Sequence, residues 1–289
     1  MSRIVLDGAI DLHCHFGPES VIGVMGVRHS VDAFEAARDA AELGFAAVVL
    51  KSHDFPSNSV AYAVNQTVPG VRTYGSICCD FCVGGLNAGA VEIALRDGAA
   101  IVWLPTISSQ QDVENGLART LGLSEHGIEL LDERGELRPE VHDILALVAE
   151  HDAIVATGHT SKVEHFAVAH AFGGRGRLVV THAMTAGAGP QLTVQECVEL
   201  SDLGAMIELS AATCMGAHGP STAEVIAAVQ VIGSDRVVLA SDYGWTTDLP
   251  HPAPGLHGCV DALYEAGASE ADLRRMTCEN PARLLRLVG

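Results

Sequence analysis

Eight short apolar runs, each followed by a loop and a helix-like segment that closes on glycine, constrain this 289-residue chain more than any other feature. The runs are AIDLHCH (9–15), AAVVLKSH (46–53), TYGSICC (73–79), AAIVWLPT (99–106), AIVATGH (153–159), RLVVTHA (177–183), AMIELSA (205–211) and RVVLASD (236–242). Nearly unbroken Val, Ile, Leu and Ala suits parallel strands covered on both faces, because a strand with one wet face would alternate. Ser30, Asn87, Ser161, Thr193 and Ser221 precede the helical segments as candidate caps, and Gly44, Gly98, Gly173, Gly204 and Gly233 follow them. Eight strands alternating with helices over about 250 residues predict an α/β fold of the (β/α)8, TIM-type barrel class rather than an open doubly wound sheet.

One connection is too long for a turn and a helix. The connection over residues 107–138 runs into GIELLDERGELRPE (127–140), which reads as a small hairpin around Arg134 and Gly135 before a helix starting near Pro139. This insertion follows strand four, so it is expected at the barrel end where active sites sit, as a lid, a pocket wall or an oligomer contact. The C-terminal SEADLRRMTCENPARLLRL is expected to form two extra helices on the outside of the barrel. No stretch rich in Pro, Gly or Ser interrupts the pattern, so residues 1–289 read as a single domain.

Charge narrows the partners. Lys and Arg total 17 against 36 Asp and Glu, a net charge of -19, and such a field repels phosphate backbones and anionic lipid heads. Nucleic acid and membranes are therefore excluded as expected partners. A small-molecule substrate is the expectation, and an anionic one needs a local basic group. The opening MSRIVLDGAIDLHCHF has no uninterrupted apolar core for a signal peptide. No apolar run reaches the roughly 18 residues of a membrane span, so a cytoplasmic protein is expected. Eight scattered cysteines read as reduced thiols; Cys79 and Cys82 form a C-x-x-C with no second half for a zinc site, and read as packing residues.

Histidine placement carries the chemistry. His13 and His15 lie two apart at the end of the first run, so both imidazoles point to the same side. His159 ends the fifth run, His182 lies at the end of the sixth, and Asp242 ends the eighth. All C-terminal strand ends of a parallel barrel meet on one face, so these five ligand-type side chains converge there. Several neutral imidazoles with a carboxylate are what zinc or a similar divalent metal requires. His126, His142, His151, His165 and His170 fall on helical or loop segments and read as ordinary hydrogen-bonded residues.

The pieces DLHCH, TGH, VTHA, LASD and NPARLLRL, spread over residues 9–287, together resemble the amidohydrolase superfamily of metal-dependent hydrolases. VVLKSH and GGLNAGAVEIAL further resemble a less characterised group within it. The resemblance implies that His13, His15 and Asp242 hold one metal ion. His159 and His182 would hold a second, or one of them would complete the first site while the other polarises substrate. Zinc is the expected ion, as one or two per chain, with Mn or Co as substitutes. Asp242 would take a proton from metal-activated water and return it to the leaving group. The implied reaction is hydrolysis of a small amide, cyclic amide or imide, lactone or amino-heterocycle. A metal-dependent decarboxylase or other lyase is the alternative, and a non-catalytic binding barrel is a third reading that the full ligand set argues against. A homo-oligomer is the expected assembly.

The pattern departs from two-metal members of that superfamily at one place. Those usually carry a bridging carbamylated lysine or glutamate at the end of strand three or four, and here these strands end SICCD and WLPT. Lys51, from the strand beside the H-x-H strand, is the substitute: a carbamate bridging two ions, a free ammonium facing substrate, or an ion-pair partner of Glu208. His53 shares the side of Lys51 and is a candidate for substrate contact or proton donation. Glu208 is expected to support an imidazole or the lysine. Arg28, Asn87, His218, Tyr243 and Trp245 lie on loops at the same face as candidate substrate contacts, with Arg28 as the positive charge for an anion.

Overall fold

The computed structural model describes residues 6–23, 26–123, 125–215 and 219–287. Eight strands, β1 Ile10–His15, β2 Ala47–Lys51, β3 Arg72–Cys78, β4 Ala99–Trp103, β5 Ile154–Ala156, β6 Arg177–Val180, β7 Ala205–Ser210 and β8 Val237–Ala240, follow one another in chain order. Each runs parallel to the next, with helices in the crossovers. The ring is drawn together between β8 and β1. The His13 carbonyl accepts from Asp242 N at 2.8 Å, and His15 N donates to the Tyr243 carbonyl at 2.9 Å. Asp11 adds a side-chain staple, its Oδ1 accepting from Ser241 N at 3.0 Å and His13 N at 3.1 Å. This is the (β/α)8 barrel expected from the alternating runs.

Strand periodicity sorts the core into two shells. Ile10, Leu12, Ala47, Val49, Ile101, Trp103, Ile154, Ala156, Val179 and Val238 fill the barrel interior, and Val48, Leu50, Val102, Val155, Val180 and Ile207 pack outward against the helices. On β2 the inward set Ala47 and Val49 continues to Lys51 by the period of two. On β1 the same rule would send His13 outward after Ile10 and Leu12. A register irregularity between Asp11 and Cys14 inverts the alternation, so Cys14 joins the outer shell and His13 and His15 face in.

The structure corrects several boundaries. β5, β6 and β8 end at Ala156, Val180 and Ala240, so His159, His182 and Asp242 sit in the turns just beyond the strands rather than within them. His182 and Asp242 have φ of 50° and 54°, a left-handed conformation no strand accommodates, and non-glycine residues held there are concentrated at functional sites. Ser30 does not cap the helix Ala33–Glu42. Val31 and Asp32 still run beside Gly17, so the helix begins later and Asp32 caps it in a box with Glu35. The insertion after β4 has the expected turn, with an antiparallel bridge Leu131–Leu137 around Gly135, but it also holds two short helices, Gln110–Glu114 and Leu117–Thr120. The C-terminal segment forms helix Glu270–Arg274, a π turn Arg275–Glu279 and helix Asn280–Leu284 in one run. Its end does not lie outside the barrel, because Leu284 joins the interior cluster. No described helix is long and apolar enough to cross a membrane.

Candidate metal centre

The barrel's C-terminal end gathers His13 and His15 from β1, Lys51 from β2, His53 just beyond it, and His159, His182 and Asp242 from the turns after β5, β6 and β8. His159 is placed by a close backbone approach. Gly158 has φ of 67°, and an added Cβ would lie 2.2 Å from the Leu104 carbonyl oxygen, so the chain turns there only without a side chain. His159 N then donates to the Pro105 carbonyl at 2.9 Å.

Asp242 is the hub of the group. Its Oδ1 lies 3.1 Å from His13 Nε2 and 3.3 Å from His15 Nε2, and its Oδ2 lies 3.8 Å from His182 Nε2. His159 is stacked edge-on to His182, with ring centres 4.8 Å apart. Burial opposes the Asp242 charge, but His182, His13 and His15 outweigh it and hold the carboxyl well below its usual range. Burial pushes the other imidazoles toward the neutral form: His13 and His159 fall well below the usual value and His182 falls to about 4. His15 departs from that pattern. Burial and the Lys51 charge push it down, and its contacts with Asp242 and Glu19 raise it on balance.

Neutral rings become ligands only when one nitrogen is fixed and the other carries a directed lone pair. Two buried carboxylates do this fixing. Glu208 Oε1 lies 3.0 Å from His13 Nδ1, and burial raises the Glu208 pKa. Asp112 Oδ2 lies 2.6 Å from His159 Nδ1, leaving His159 Nε2 buried with no hydrogen-bond partner among the described residues. A buried unpaired ring nitrogen costs about 1–3 kcal/mol, which a coordinated cation would offset. His13, His15 and Asp242 offer three ligand atoms within 4.8 Å of one another, as do His13, His182 and Glu208. This donor set fits a divalent ion of the zinc type.

Lys51 is fully buried, with Nζ 2.9 Å from His13 Nε2 and 5.0 Å from the centre of the Trp103 ring. The ion pair with Glu208, one of the three readings of Lys51, is not formed; Glu208 Oε1 lies against His13, and Lys51 points into the ligand cluster. His53 Nδ1 is held by Thr106 Oγ1 at 2.8 Å and Asp80 Oδ2 at 3.2 Å. Asp80 also accepts from Thr106 N at 2.9 Å and Ser108 N at 3.0 Å, so it serves His53 and offers no bridge to the histidine cluster.

A cavity of about 370 Å3 opens onto this group, lined by His15, Lys51, His53, His159, His182 and Asp242 together with Ile107, Leu117, Leu121, Trp245 and the Ala186–Ala188 loop. Arg28 is not among its lining residues. It borders a separate cavity of about 440 Å3 with Glu19, His29 and Glu35. Tyr243 is packed in the core, its hydroxyl donating to the Ala211 carbonyl at 3.3 Å. Asn87 caps the helix Ala88–Arg96. His218 lies outside the described residues. Cys79 is buried and Cys82 exposed, with no disulfide between them.

Three site residues escaped the sequence reading. Glu19 is buried with Oε1 accepting from His53 N at 2.5 Å and Oε2 lying 3.0 Å from His29 Nε2 and 3.7 Å from His15 Nδ1. Asp80 and Asp112 hold His53 and His159. Position offered a signal for two of them: Glu19 stands four residues past His15, and Asp80 directly follows the third apolar run. Asp112 offered none, because its segment had no assigned element.

The family model described as "Family of unknown function (DUF6282)" matches residues 8–208. No curated protein matches the chain. Solved structures share the fold across nearly the whole chain. An amidohydrolase from Pseudomonas aeruginosa matches at TM-score 0.62 and 13% identity, covering 97% of this chain and 96% of the other. A 2,6-dihydroxybenzoate decarboxylase from Rhizobium matches at TM-score 0.63 and 13% identity, covering 98% and 100%. The dipeptidase AC, a metallopeptidase, matches at TM-score 0.61 and 13% identity, covering 97% and 98%. The barrel is thus shared with proteins of the kind the sequence motifs resembled.

Proposed function

Because this chain belongs to that family of unknown function, DUF6282, and carries a ligand set at the mouth of a (β/α)8 barrel, we propose that it is a metal-dependent hydrolase of a small molecule. The observation that carries the reading is the cluster itself: His13, His15 and Asp242 within ligand distance of one another, with His159 and His182 beside them and a cavity opening onto all but His13. His13, His15, His159, His182 and Asp242 would hold the ion or ions. A divalent cation there supplies Lewis acidity and makes water nucleophilic near neutral pH.

The chain's own residues divide the remaining work. Glu208 and Asp112 orient His13 and His159. Asp242 is held ionised, and with 15% of its side chain exposed it is the most open member of the group, so it is the base that takes a proton in the cavity and returns it to the leaving atom. Lys51, buried against His13, would as a carbamate offer oxygen donors to the ion or ions, or as an ammonium would stabilise developing negative charge. His53, locked by Asp80 and Thr106, contacts substrate at the same wall.

The decarboxylase reading is favoured by a different observation. Among the described residues no carboxylate following β3 or β4 stands between the ligand groups, since Asp80 is spent on His53 and Thr106 and Asp112 on the Nδ1 side of His159, and a site without a bridge suits one ion. One of the structural neighbours is described as a decarboxylase. The test is a screen of amides, cyclic imides, lactones, amino-heterocycles and aryl carboxylates with Zn, Mn and Co, with Asp242→Asn as control. Metal-dependent hydrolysis that the control loses supports the hydrolase reading. Carbon dioxide release without hydrolysis replaces it with the lyase reading, and turnover by the control equal to the parent overturns the role of Asp242.

A further inference from the structure

The cavity has two unlike halves, and their contrast restricts what enters it. One half is the ligand cluster. The other belongs to a small apolar cluster separate from both shells of the barrel core: Val21, Ile107 and Leu121 are buried in it, and Leu117 and Trp245 pack against them. These side chains come from the segments after β1, β4 and β8, so three independent loops converge to build one apolar wall. Trp245 is fixed in it, its Nε1 donating to the Asp242 carbonyl at 3.1 Å, which ties the wall to the metal side.

Among the described lining residues, charge is confined to the first half. Lys51 and Asp242 are the lysine and the carboxylate among the described lining residues, and both lie in the ligand cluster. The arginine that sequence position suggested as an anion partner borders the neighbouring cavity instead. A second carboxylate on a substrate would therefore be desolvated against Ile107, Leu117, Leu121 and Trp245, with no lysine or arginine among the described lining residues of that half to meet it. Among the described lining residues an α-ammonium would meet Asp242 as its carboxylate, already shared by three imidazoles. Burying an unpaired charge is heavily penalised, so these absences select against dicarboxylates and zwitterions as firmly as the wall selects for apolar bodies.

We propose that the substrate has an uncharged aromatic or branched apolar body of about two fused rings and a single carboxylate or acyl head directed to the metal cluster. Size follows from volume, since an engineered cavity of about 150 Å3 holds one benzene and this one offers about 370 Å3. The inference rests on the metal-centre reading for where the head binds.

The test is calorimetric titration of the zinc-reconstituted protein with 2-naphthoate, isophthalate and glycylglycine, with zinc content measured on the same samples. Naphthoate is expected to bind at least about tenfold more tightly than either of the others. Leu117→Asp should weaken naphthoate by about tenfold or more with zinc content unchanged, and Leu117→Met should leave it within about threefold. Equal affinity for all three compounds overturns the inference using the parent protein alone, and so does an unaltered affinity in Leu117→Asp. A sample that retains zinc but does not bind naphthoate refutes the substrate class and leaves the metal centre standing. A sample that retains no zinc refutes both.

Discussion

Replacing Asp112 by leucine tests whether the carboxylate that touches His159 sets that ring for a metal. Asp112 Oδ2 stands 2.6 Å from His159 Nδ1, and Oδ1 accepts from Gly189 N at 3.3 Å. The Gly189 carbonyl in turn accepts from Asn115 Nδ2 at 3.1 Å, so one buried side chain joins the β4 insertion, the β6 loop and His159. Leucine keeps the number and branching of the side-chain heavy atoms and removes both acceptors. Two buried N–H groups are left unpaired at about 1–3 kcal/mol each, which lowers stability with or without metal. The second consequence is specific: with Nδ1 unheld, the proton is free to move to Nε2 and the ring to turn, so the lone pair is no longer presented. Loss of such a partner costs about 10–100-fold in metal affinity, or about 1.4–2.7 kcal/mol. Asp112→Asn retains an oxygen at the same place and should keep most of the parent affinity. The assay is competition for zinc against a chromogenic chelator at fixed pH. Zinc affinity of Asp112→Leu equal to the parent would refute the reasoning, as would an Asn variant that falls as far as the leucine one.

Other expectations concern the frame around the centre. Gly158→Ala forces a left-handed residue whose Cβ would stand 2.2 Å from the Leu104 oxygen, and it should cost at least about 2 kcal/mol, read as a fall in Tm; a loss below about 0.5 kcal/mol would contradict the close approach. His165 is buried between Thr157 and Thr160, and burial lowers its pKa from 6.5 to about 4. The unfolded chain therefore binds the extra proton first, and stability present above pH 6.5 is lost as pH falls toward 4, by about 3 kcal/mol at the limit. His165→Asn should show a shallower decline across that window in denaturant titrations, and parallel curves for the two proteins would count against the assignment. Glu208→Leu leaves His13 Nδ1 without its partner and should weaken zinc by about tenfold or more, whereas Glu208→Gln should lose less; equal losses would mean that Glu208 does not orient the ring.

Barrel and site were legible in the sequence to different depths, for physical reasons. The eight strands announced themselves because parallel strands buried on both faces must be apolar throughout, and Ala47, Val49 and Lys51 kept the simple alternation that put the lysine inside. His13 and His15 sharing a face was also readable. That they face inward depends on the irregularity between Asp11 and Cys14, which no apolar pattern records. The supporting carboxylates were hidden for another reason. Asp80, Asp112 and Glu19 meet histidines distant in the chain, and only the closed fold brings them together. Lys51 and Glu208 both appeared in the sequence as inward polar residues, and pairing them was one of three open readings. Each found a nitrogen of His13 instead, Lys51 at Nε2 and Glu208 at Nδ1.

The measurement that bears most directly on the central claim is the divalent metal content of the purified protein after zinc loading and exhaustive buffer exchange, set beside the His13→Ala/His15→Ala double variant and Asp242→Asn. Circular dichroism would establish that each variant is folded. The account predicts at least about one tightly held equivalent per parent chain, as three or more converging ligands require, and its loss in the double variant with the barrel intact. A parent that retains no zinc, or a folded double variant that retains as much as the parent, would contradict it.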